Sequence, residues 1–232
     1  MPSEHSSRQY EMDLEAIRSK VFAMGGLVES QFREAMDCFR SGDEKRADAV
    51  IAGDEAVNRL EIVLDDACSH LIVKRQPAAV DLRLVMATIK VITDLERVGD
   101  ESTKIARMSR TITKRGFSAI QHYETVRVIA TQAMSMLHEA LDAFARLDGS
   151  QARELIAQDE QIDHEFRSIL RNGITFMMED PRTISAMLDT LWVAKAIERI
   201  GDHAKNIAEY VIYVVEGKDI RHQPAASKDA LS

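Results

Sequence analysis

A twelve-residue stretch occurs twice in this chain of 232 residues, and it is the strongest evidence in the sequence for the fold. The first copy is Leu95-Glu-Arg-Val-Gly-Asp-Glu-Ser-Thr-Lys-Ile-Ala106, and the second is Ile197-Glu-Arg-Ile-Gly-Asp-His-Ala-Lys-Asn-Ile-Ala208. Repetition of this kind indicates that one structural unit has been duplicated. Because the copies share charged residues as well as apolar ones, the repeat predicts a common charged surface in addition to a common core.

The composition favours an all-α protein that stays in the cytoplasm. Glycine, proline and aromatic residues are few, whereas residues that lose little freedom on entering a helix are abundant. A net charge of −8 argues against nucleic acid or an anionic membrane as the main partner. Because no segment has the ~18 uninterrupted apolar residues of a membrane span, we expect no direct membrane insertion. Cys38 and Cys68 are too far apart in sequence for a metal or redox pair, which predicts free thiols.

Apolar residues that recur every three or four positions predict long helices. The first should run over residues 8–40, after which Ser41-Gly42-Asp43 ends it and caps the second. The second should end near Val73, and the third near Arg110, so that residues 111–118 connect the halves. The second half repeats this order. The sequence therefore predicts six helices in two three-helix units, at residues 7–110 and 119–217, with a flexible tail at 218–232.

Acidic side chains replace apolar ones along the third and sixth predicted helices. The apolar spacing that leads through Ile92 continues onto Glu96 and Asp100, and the same spacing in the second half continues onto Glu198 and Asp202. These carboxylates should therefore point inward or along a groove. Like charges four residues apart repel, and they repel more where water is scarce, so each pair needs a nearby cation.

One source of that cation is a network of ion pairs within the chain. Asp100 would then face Lys104, and further positive charges would come from neighbouring turns or from the other half. The available side chains are Arg97, Arg199 and Lys205. Such a network would make the acids purely structural.

The other source is a metal ion held by carboxylates of both halves. Oxygen ligands suit Mg²⁺, Mn²⁺, Ca²⁺ or iron, and Zn²⁺ also accepts them. Asp159-x-x-x-Asp163 repeats the spacing in the fifth predicted helix, whereas the first half has Asp54-x-x-x-Asn58, so the two halves need not bind alike. The candidate metal ligands are Glu96, Asp100, Glu198, Asp202, Asp159 and Asp163.

The sequence contains no recognisable catalytic arrangement. Phosphate-binding glycine loops and nucleophile motifs are absent, and no histidine follows a glutamate by three residues, as a di-iron oxidase would require. We therefore expect no catalytic residues and no enzyme. A carboxylate-based metal-binding protein, or a metal-dependent hydrolase, is the alternative that the clustered acids leave open.

These features together resemble the PhoU family. The resemblance rests on the two copies of [LI]-E-R-[VI]-G-D and on Lys74-Arg-Gln-Pro-Ala-Ala-Val-Asp-Leu-Arg83 before the first copy, and it spans residues 11–221. The proteobacterial branch is matched through Met24-Gly-Gly-Leu-Val-Glu29, Leu141-Asp-Ala-Phe-Ala-Arg146 and Met177-Met-Glu-Asp180.

The resemblance implies two pseudo-twofold-related three-helix bundles, a homodimer and a cytoplasmic negative regulator of phosphate uptake and of the phosphate-starvation response. Such a regulator relays the state of the phosphate ABC transporter to a sensor histidine kinase and promotes dephosphorylation of its response regulator. The implied partners are the transporter ATPase and the kinase. Some members of the family hold metal clusters through E-x-x-x-D or D-x-x-x-D motifs, which implies the same six acids as ligands.

Overall fold

The structure is a computed structural model. It describes the backbone of residues 4–115 and 119–220 and the side chains of residues 8–115 and 123–220. In this part of the chain six α-helices follow one another, with a short 3-10 turn, Pro181–Thr183, before the last. They are α1 Glu4–Ser41, α2 Glu44–Arg75, α3 Val80–Lys114, α4 Ala119–Arg146, α5 Gly149–Glu179 and α6 Ile184–Glu216.

Equivalent turns begin the second helix of each half. The Asp43 carboxylate accepts hydrogen bonds from the backbone N–H groups of Lys45 and Arg46, at 2.9 and 3.1 Å. The Asp148 carboxylate does the same at the start of α5, for Ser150 and Gln151. An aspartate at this position satisfies backbone donors that the first helical turn leaves free. The predicted cap at Asp43 is therefore confirmed, and it recurs in the second half.

The helices pack as two equivalent bundles around one core. α2 lies against α1 and α3, α5 lies against α4 and α6, and the halves meet where α3 crosses α6 and α1 crosses α4. The core runs continuously through both halves, and its fully buried side chains include Phe32, Leu95, Leu137 and Ile197. The predicted all-α fold of two pseudo-twofold-related three-helix bundles is confirmed.

The helix ends differ from the predicted ones in several places. α1 begins at Glu4, and α2 continues to Arg75. α3 continues to Lys114, because Ile112 is buried in the core, so the connection between the halves is shorter than residues 111–118. Ile220 is also buried, although it belongs to the predicted tail. Residues 221–232 of that tail lie outside the described residues, and the division into domains stays a prediction.

None of the helices described here combines the length and the apolarity that crossing a bilayer requires.

Candidate functional site

The predicted acids lie where the second helix of each half faces the third. We call the acidic region between α2 and α3 the first-half groove and the acidic region between α5 and α6 the second-half groove. The first-half groove contains the predicted acids Glu96 and Asp100, the motif residues Asp54 and Asn58, and two acids that sequence reasoning missed, Glu61 and Asp65. The second-half groove is lined by Asp159, Asp163, Glu198 and Asp202.

Lysines neutralise the buried carboxylates of the second-half groove. The Lys195 ammonium donates to Glu198 Oε1 at 2.6 Å, and the Lys205 ammonium donates to Asp159 Oδ2. Both carboxylates are buried, with Asp159 only 4% exposed. A buried carboxylate without a counter-charge is costly, and these two lysines remove that cost for two of the four acids of the groove.

Among the described acids of this groove, Asp202 is the one that forms no ion pair. Burial raises its pKa to about 6, and the charges of Glu198 and Asp159 add to the effect, whereas Lys195 opposes it. The fourth acid, Asp163, lies at the rim and accepts a hydrogen bond from Arg167 at 3.3 Å. The second-half groove therefore keeps one carboxylate that can take up a proton near neutral pH.

The first-half groove lacks the two lysines. Glu96 and Glu198 are 102 residues apart, and the same offset places Thr93 and Thr103 where the second half has Lys195 and Lys205. The Thr93 hydroxyl donates to a backbone carbonyl of its own helix at 3.2 Å, and the Thr103 hydroxyl accepts from the Gln31 amide at 3.3 Å. Neither threonine can supply positive charge.

The carboxylates of the first-half groove repel one another without a paired cation. Among the described residues, Glu61, Asp65, Glu96 and Asp100 form no ion pair with lysine or arginine. Burial raises the pKa of Glu96, and the charges of Asp100, Glu61 and Asp54 add to this, with Arg97 opposing. Burial and the charges of Asp65 and Asp100 likewise raise the pKa of Glu61. This groove favours added positive charge, either a proton or a cation.

Three buried oxygens beside these acids lack a hydrogen-bond partner. They are Gln31 Oε1, Asn58 Oδ1 and Asp65 Oδ1. A Cβ atom on Gly99 would lie 3.2 Å from both Gln31 Oε1 and Asp54 Oδ1, so the missing side chain lets α3 lie against these oxygens. Buried acceptors are normally satisfied, which makes an unpaired cluster of them a feature that needs an explanation.

The glycine of the second copy has a different neighbourhood. A Cβ atom on Gly201 would lie 2.9 Å from Ile162 Cδ1, in the apolar contact between α5 and α6. Gly201 thus permits close helix packing, whereas Gly99 faces oxygen atoms. The same motif position serves packing in one half and borders a polar site in the other.

The donors of the first-half groove fit a hard metal ion better than those of the second. Both grooves offer oxygen atoms, the ligands that Mg²⁺, Ca²⁺ and Mn²⁺ prefer, but in the second-half groove ammonium groups already pair with two of the carboxylates. As the side chains stand, no group of three or more His, Cys, Asp or Glu residues in the described part of the chain is arranged to hold a metal ion. The assignment of the six acids as metal ligands stays a prediction.

One detail of the predicted ion-pair network is wrong. Asp100 does not pair with Lys104, because the Lys104 ammonium donates to Glu101 at 2.8 Å. Of the two predicted orientations, inward or along a groove, the exposed Asp100 side chain has the second. The Arg199 guanidinium also donates to Glu101, at 3.2 Å, and so crosses from one half to the other. The network forms, but its centre is Glu101.

Comparison with known proteins agrees with the duplicated geometry. A family model described as "PhoU domain" matches residues 21–109 and again residues 126–211, which is more than half of the chain. The chain belongs to the PhoU family. The two matches correspond to the two bundles, and the predicted membership is confirmed.

Several PhoU relatives match nearly the whole chain. The phosphate-specific transport system accessory protein PhoU homolog of Pseudomonas putida is 45% identical over 218 residues, covering 94% of this chain and 85% of the relative. The PhoU protein of Escherichia coli K12 is 42% identical over 232 residues, covering 99% of this chain and 94% of the relative.

Two solved PhoU structures share the fold. The crystal structure of PhoU from Pseudomonas aeruginosa has a TM-score of 0.87 and 44% identity, and the match covers 90% of this chain and all of that one. The phosphate transport system regulatory protein PhoU from Streptococcus pneumoniae has a TM-score of 0.84 and 26% identity, with 91% and 99% of the two chains covered.

A second polar cluster joins the two PhoU repeats, and sequence reasoning missed it. The carboxylate of Asp94, which is 3% exposed, lies 2.7 Å from His203 Nδ1 and accepts from the Asn206 amide at 3.1 Å. Glu101 and His203 occupy equivalent positions and differ in the two copies of the motif. That difference was the available signal, because residues at a pseudo-twofold contact meet different partners and need not match.

Proposed function

We propose that this protein is an accessory regulator of phosphate-specific transport that acts as a negative regulator of phosphate uptake and of the phosphate-starvation response. The observation that carries the proposal is the match of at least 42% identity to named accessory proteins of that system over more than nine-tenths of the chain. A match of that extent includes both repeats and the surfaces between them. It therefore supports a shared role of the whole molecule rather than of one motif.

The proposed mechanism is coupling by contact in the cytoplasm. The protein, as a homodimer, would bind the phosphate ABC-transporter ATPase and a sensor histidine kinase, and it would favour dephosphorylation of the kinase's response regulator when phosphate is plentiful. Charged side chains on an all-helical scaffold are suited to this role, because electrostatic complementarity selects partners and orients them. The proposal requires no catalytic group in the chain itself.

Deletion of the gene tests the regulatory role. In cells grown with abundant phosphate, we expect a reporter of phosphate-starvation genes to be switched on in the deletion strain and switched off again by the plasmid-borne wild-type chain. A reporter that stays repressed after deletion would contradict the proposal. Crosslinking in cells, followed by identification of the transporter ATPase and the kinase, tests the coupling separately.

A second candidate function is metal binding at the first-half groove, which the unpaired acids and the three unpartnered buried oxygens favour. The bound ion would be a divalent metal (Mg, Mn or Zn) or iron, and it would supply the positive charge that Lys195 and Lys205 supply in the other half. In this candidate function the ion would balance the charge of the first-half groove.

Metal analysis of paired variants tests this candidate. We expect Mn²⁺ to raise the melting temperature of the wild-type protein, and Glu96→Gln with Asp100→Asn to abolish the shift. The matched pair Glu198→Gln with Asp202→Asn should retain it. Absence of bound metal after purification, together with no shift in the wild-type protein, would remove the candidate.

A further inference from the structure

An exposed apolar stripe runs along α6. Ile184, Leu188 and Trp192 are spaced four residues apart, so they lie on one face of the helix. Their exposed fractions are 40%, 46% and 66%. Trp192 is the single tryptophan of the chain. Contiguous exposed apolar patches that are rimmed by polar residues mark interaction surfaces.

Positively charged side chains continue the stripe beyond Trp192. A cleft of about 460 Å³ opens between α3 and α6, and its lining includes Trp192 and the cations Lys104, Lys195 and Arg199. It also includes the carboxylates Glu101 and Asp189, and the Asp189 side chain is 13% exposed and pairs with Arg115. The three cations pair with carboxylates, but the carboxylates are more deeply buried than the cations. The Lys104 and Arg199 side chains are 46% and 52% exposed, whereas the Glu101 side chain that both contact is 6% exposed.

The same arrangement holds for Lys195, whose side chain is 37% exposed above a Glu198 side chain that is 10% exposed. An approaching molecule therefore meets the cations and the indole ring, and the carboxylates are shielded below. The surface is locally positive on a protein whose net charge is −8.

The equivalent face of the first half is built differently. An offset of 102 residues places Leu82, Met86 and Lys90 of α3 where α6 has Ile184, Leu188 and Trp192. The Lys90 ammonium lies over the rings of Tyr210 and Tyr213, 5.4 and 5.6 Å from their centroids. The scaffold thus does not require an exposed indole at this position, and the second half alone presents one.

We propose that the α6 docking face, which comprises Ile184, Leu188, Trp192, Lys195 and Arg199 with Lys104 of α3, binds an acidic amphipathic helix of a partner protein. The proposal rests on the proposed function, because it supplies the surface through which a regulator without catalytic groups would reach a partner. It adds the chemistry of that partner: apolar side chains on one face and carboxylates beside them.

The length and the chemistry of the face favour a helix over a small molecule. From residue 184 to residue 199 the rise along α6 is about 22 Å, at ~1.5 Å per residue, which corresponds to about four turns of a bound helix. Apolar side chains repeated every four residues complement the apolar face of a helix that lies along the α6 docking face. Tryptophan and arginine are the residues that contribute most often to binding energy at such surfaces, and carboxylates on the partner would meet the exposed cations.

Trp192 fluorescence gives a direct test with a defined probe. The probe is a synthetic helical peptide with leucine at every fourth position and glutamate beside it, and the control peptide has glutamine in place of glutamate. With the purified full-length chain, we expect a saturable blue shift of the emission with the glutamate peptide and at least tenfold weaker binding of the glutamine peptide. Equal binding of the two peptides would overturn the proposal.

Substitutions at one position separate charge from apolar contact. Leu188→Glu and Leu188→Lys both remove the apolar anchor on an exposed surface, and both leave Glu101 paired. We expect the Glu variant to bind the glutamate peptide at least tenfold more weakly than the Lys variant. Met86→Glu, at the equivalent position of the first half, should bind like the wild-type protein. Equal binding by the two Leu188 variants, or an equal loss in Met86→Glu, would overturn the proposal.

Two other occupants are distinguished in the same measurements. A blue shift with phosphatidylglycerol vesicles but not with the peptide would assign the face to a membrane. A shift that follows the concentration of the protein itself, and that Leu188→Glu abolishes together with dimer formation, would assign it to a second copy. Either result overturns the proposal without bearing on the deletion phenotype, which tests the regulatory function separately.

Discussion

The two acid grooves of the molecule occupy equivalent positions and balance their charge in different ways. In the second-half groove, Lys195 and Lys205 pair with Glu198 and Asp159. In the first-half groove, threonines replace both lysines, and the described carboxylates there find no lysine or arginine partner. The two halves therefore share three acids, Asp54 with Asp159, Glu96 with Glu198 and Asp100 with Asp202, but not their counter-ions.

The difference indicates a division of roles between the halves. A buried carboxylate must be neutralised by a proton, a side chain or an ion. In the second half, Lys195 and Lys205 neutralise Glu198 and Asp159, and Asp202 can still bind a proton near neutral pH. In the first half no lysine or arginine among the described residues pairs with Glu61 or Glu96, so the charge of that groove depends on protons or cations from the solvent.

Removal of an internal counter-ion should produce the largest effect. Lys205→Met leaves the buried carboxylate of Asp159 without a partner, and we expect the free energy of unfolding at pH 7 to fall by roughly 2–4 kcal/mol. Lys104→Met is the matched control and should lose about 1 kcal/mol, because Glu101 keeps its bond to Arg199. Urea denaturation measures both. Equal losses in the two variants would contradict the assigned role of Lys205.

Asp202→Asn tests the acid that the lysines leave unpaired, and it should give the next largest effect. The pKa of Asp202 is raised to about 6 in the folded protein, from 3.8. Between pH 3.8 and about 6 the folded state binds more protons than the unfolded state, so the free energy of unfolding falls as the pH rises through this range. Below pH 3.8 the carboxyl is protonated in both states and does not lower stability. We therefore expect the Asn variant to be about 1–2 kcal/mol more stable than wild type at pH 7.5, after allowance for solvent at this half-buried group.

The gain from Asp202→Asn should shrink as the pH falls toward 4, and urea denaturation at pH 4.5 and 7.5 measures it. Glu96→Gln in the first half should change stability in the same direction, because the pKa of Glu96 is also raised. An Asn variant less stable than wild type at pH 7.5 would refute the burial of an unbalanced charge at Asp202.

Alanine at the two motif glycines should separate packing from polar contact. Gly201→Ala brings a Cβ to 2.9 Å from Cδ1 and 3.3 Å from Cγ2 of Ile162, which is 2% exposed. Because χ1 of isoleucine is stiff, Cγ2 cannot turn away, and we expect overpacking to outweigh the helix preference of alanine by about 1 kcal/mol. Gly99→Ala meets the tips of Gln31 and Asp54 instead, which can move, so stability should change by less than about 0.5 kcal/mol. Thermal unfolding compares them, and a larger loss at Gly99 would count against the difference between the halves.

The smallest effect should come from transplanting a lysine into the first half. Thr93→Lys places an ammonium three residues before Glu96, as Lys195 precedes Glu198, and we expect a gain of about 0.5 kcal/mol at low salt. Thr131→Lys controls for helix propensity, because Thr131 is an exposed helical threonine with the same type of bond to a backbone carbonyl. A gain no greater than that of the control would show that the first-half groove does not favour added positive charge.

Much of the fold followed from the sequence because its signals are local. Helix periodicity, the cap at Asp43 and the duplicated motif depend on neighbouring residues and on one repeat, and they predicted six helices in two bundles. The helix ends were less predictable, since α3 continues to Lys114 because Ile112 is buried in the core. Tertiary packing decides such extensions, and local propensity does not contain it.

The acids of the site were predictable, but their partners were not. Spacing placed Glu198 on a buried face, yet it did not indicate that Lys104 would pair with Glu101 rather than with Asp100. Both acids lie within about one turn of Lys104 along the helix. Glu101 also contacts Arg199 of the other half, and this contact cannot be read from local spacing. The exposure of Trp192 was not predictable either, because α6 is apolar on several faces and periodicity does not indicate which face remains exposed to solvent.

The location of a bound cation tests the central claim most directly. In a crystal of the protein soaked with Mn²⁺, the account predicts an anomalous difference peak among the oxygens near Glu96 and Asp100, and it predicts Lys205 still paired with Asp159 and no peak in the second-half groove. A peak beside Glu198 and Asp202 with Lys195 displaced, or peaks of equal height in both grooves, would contradict it.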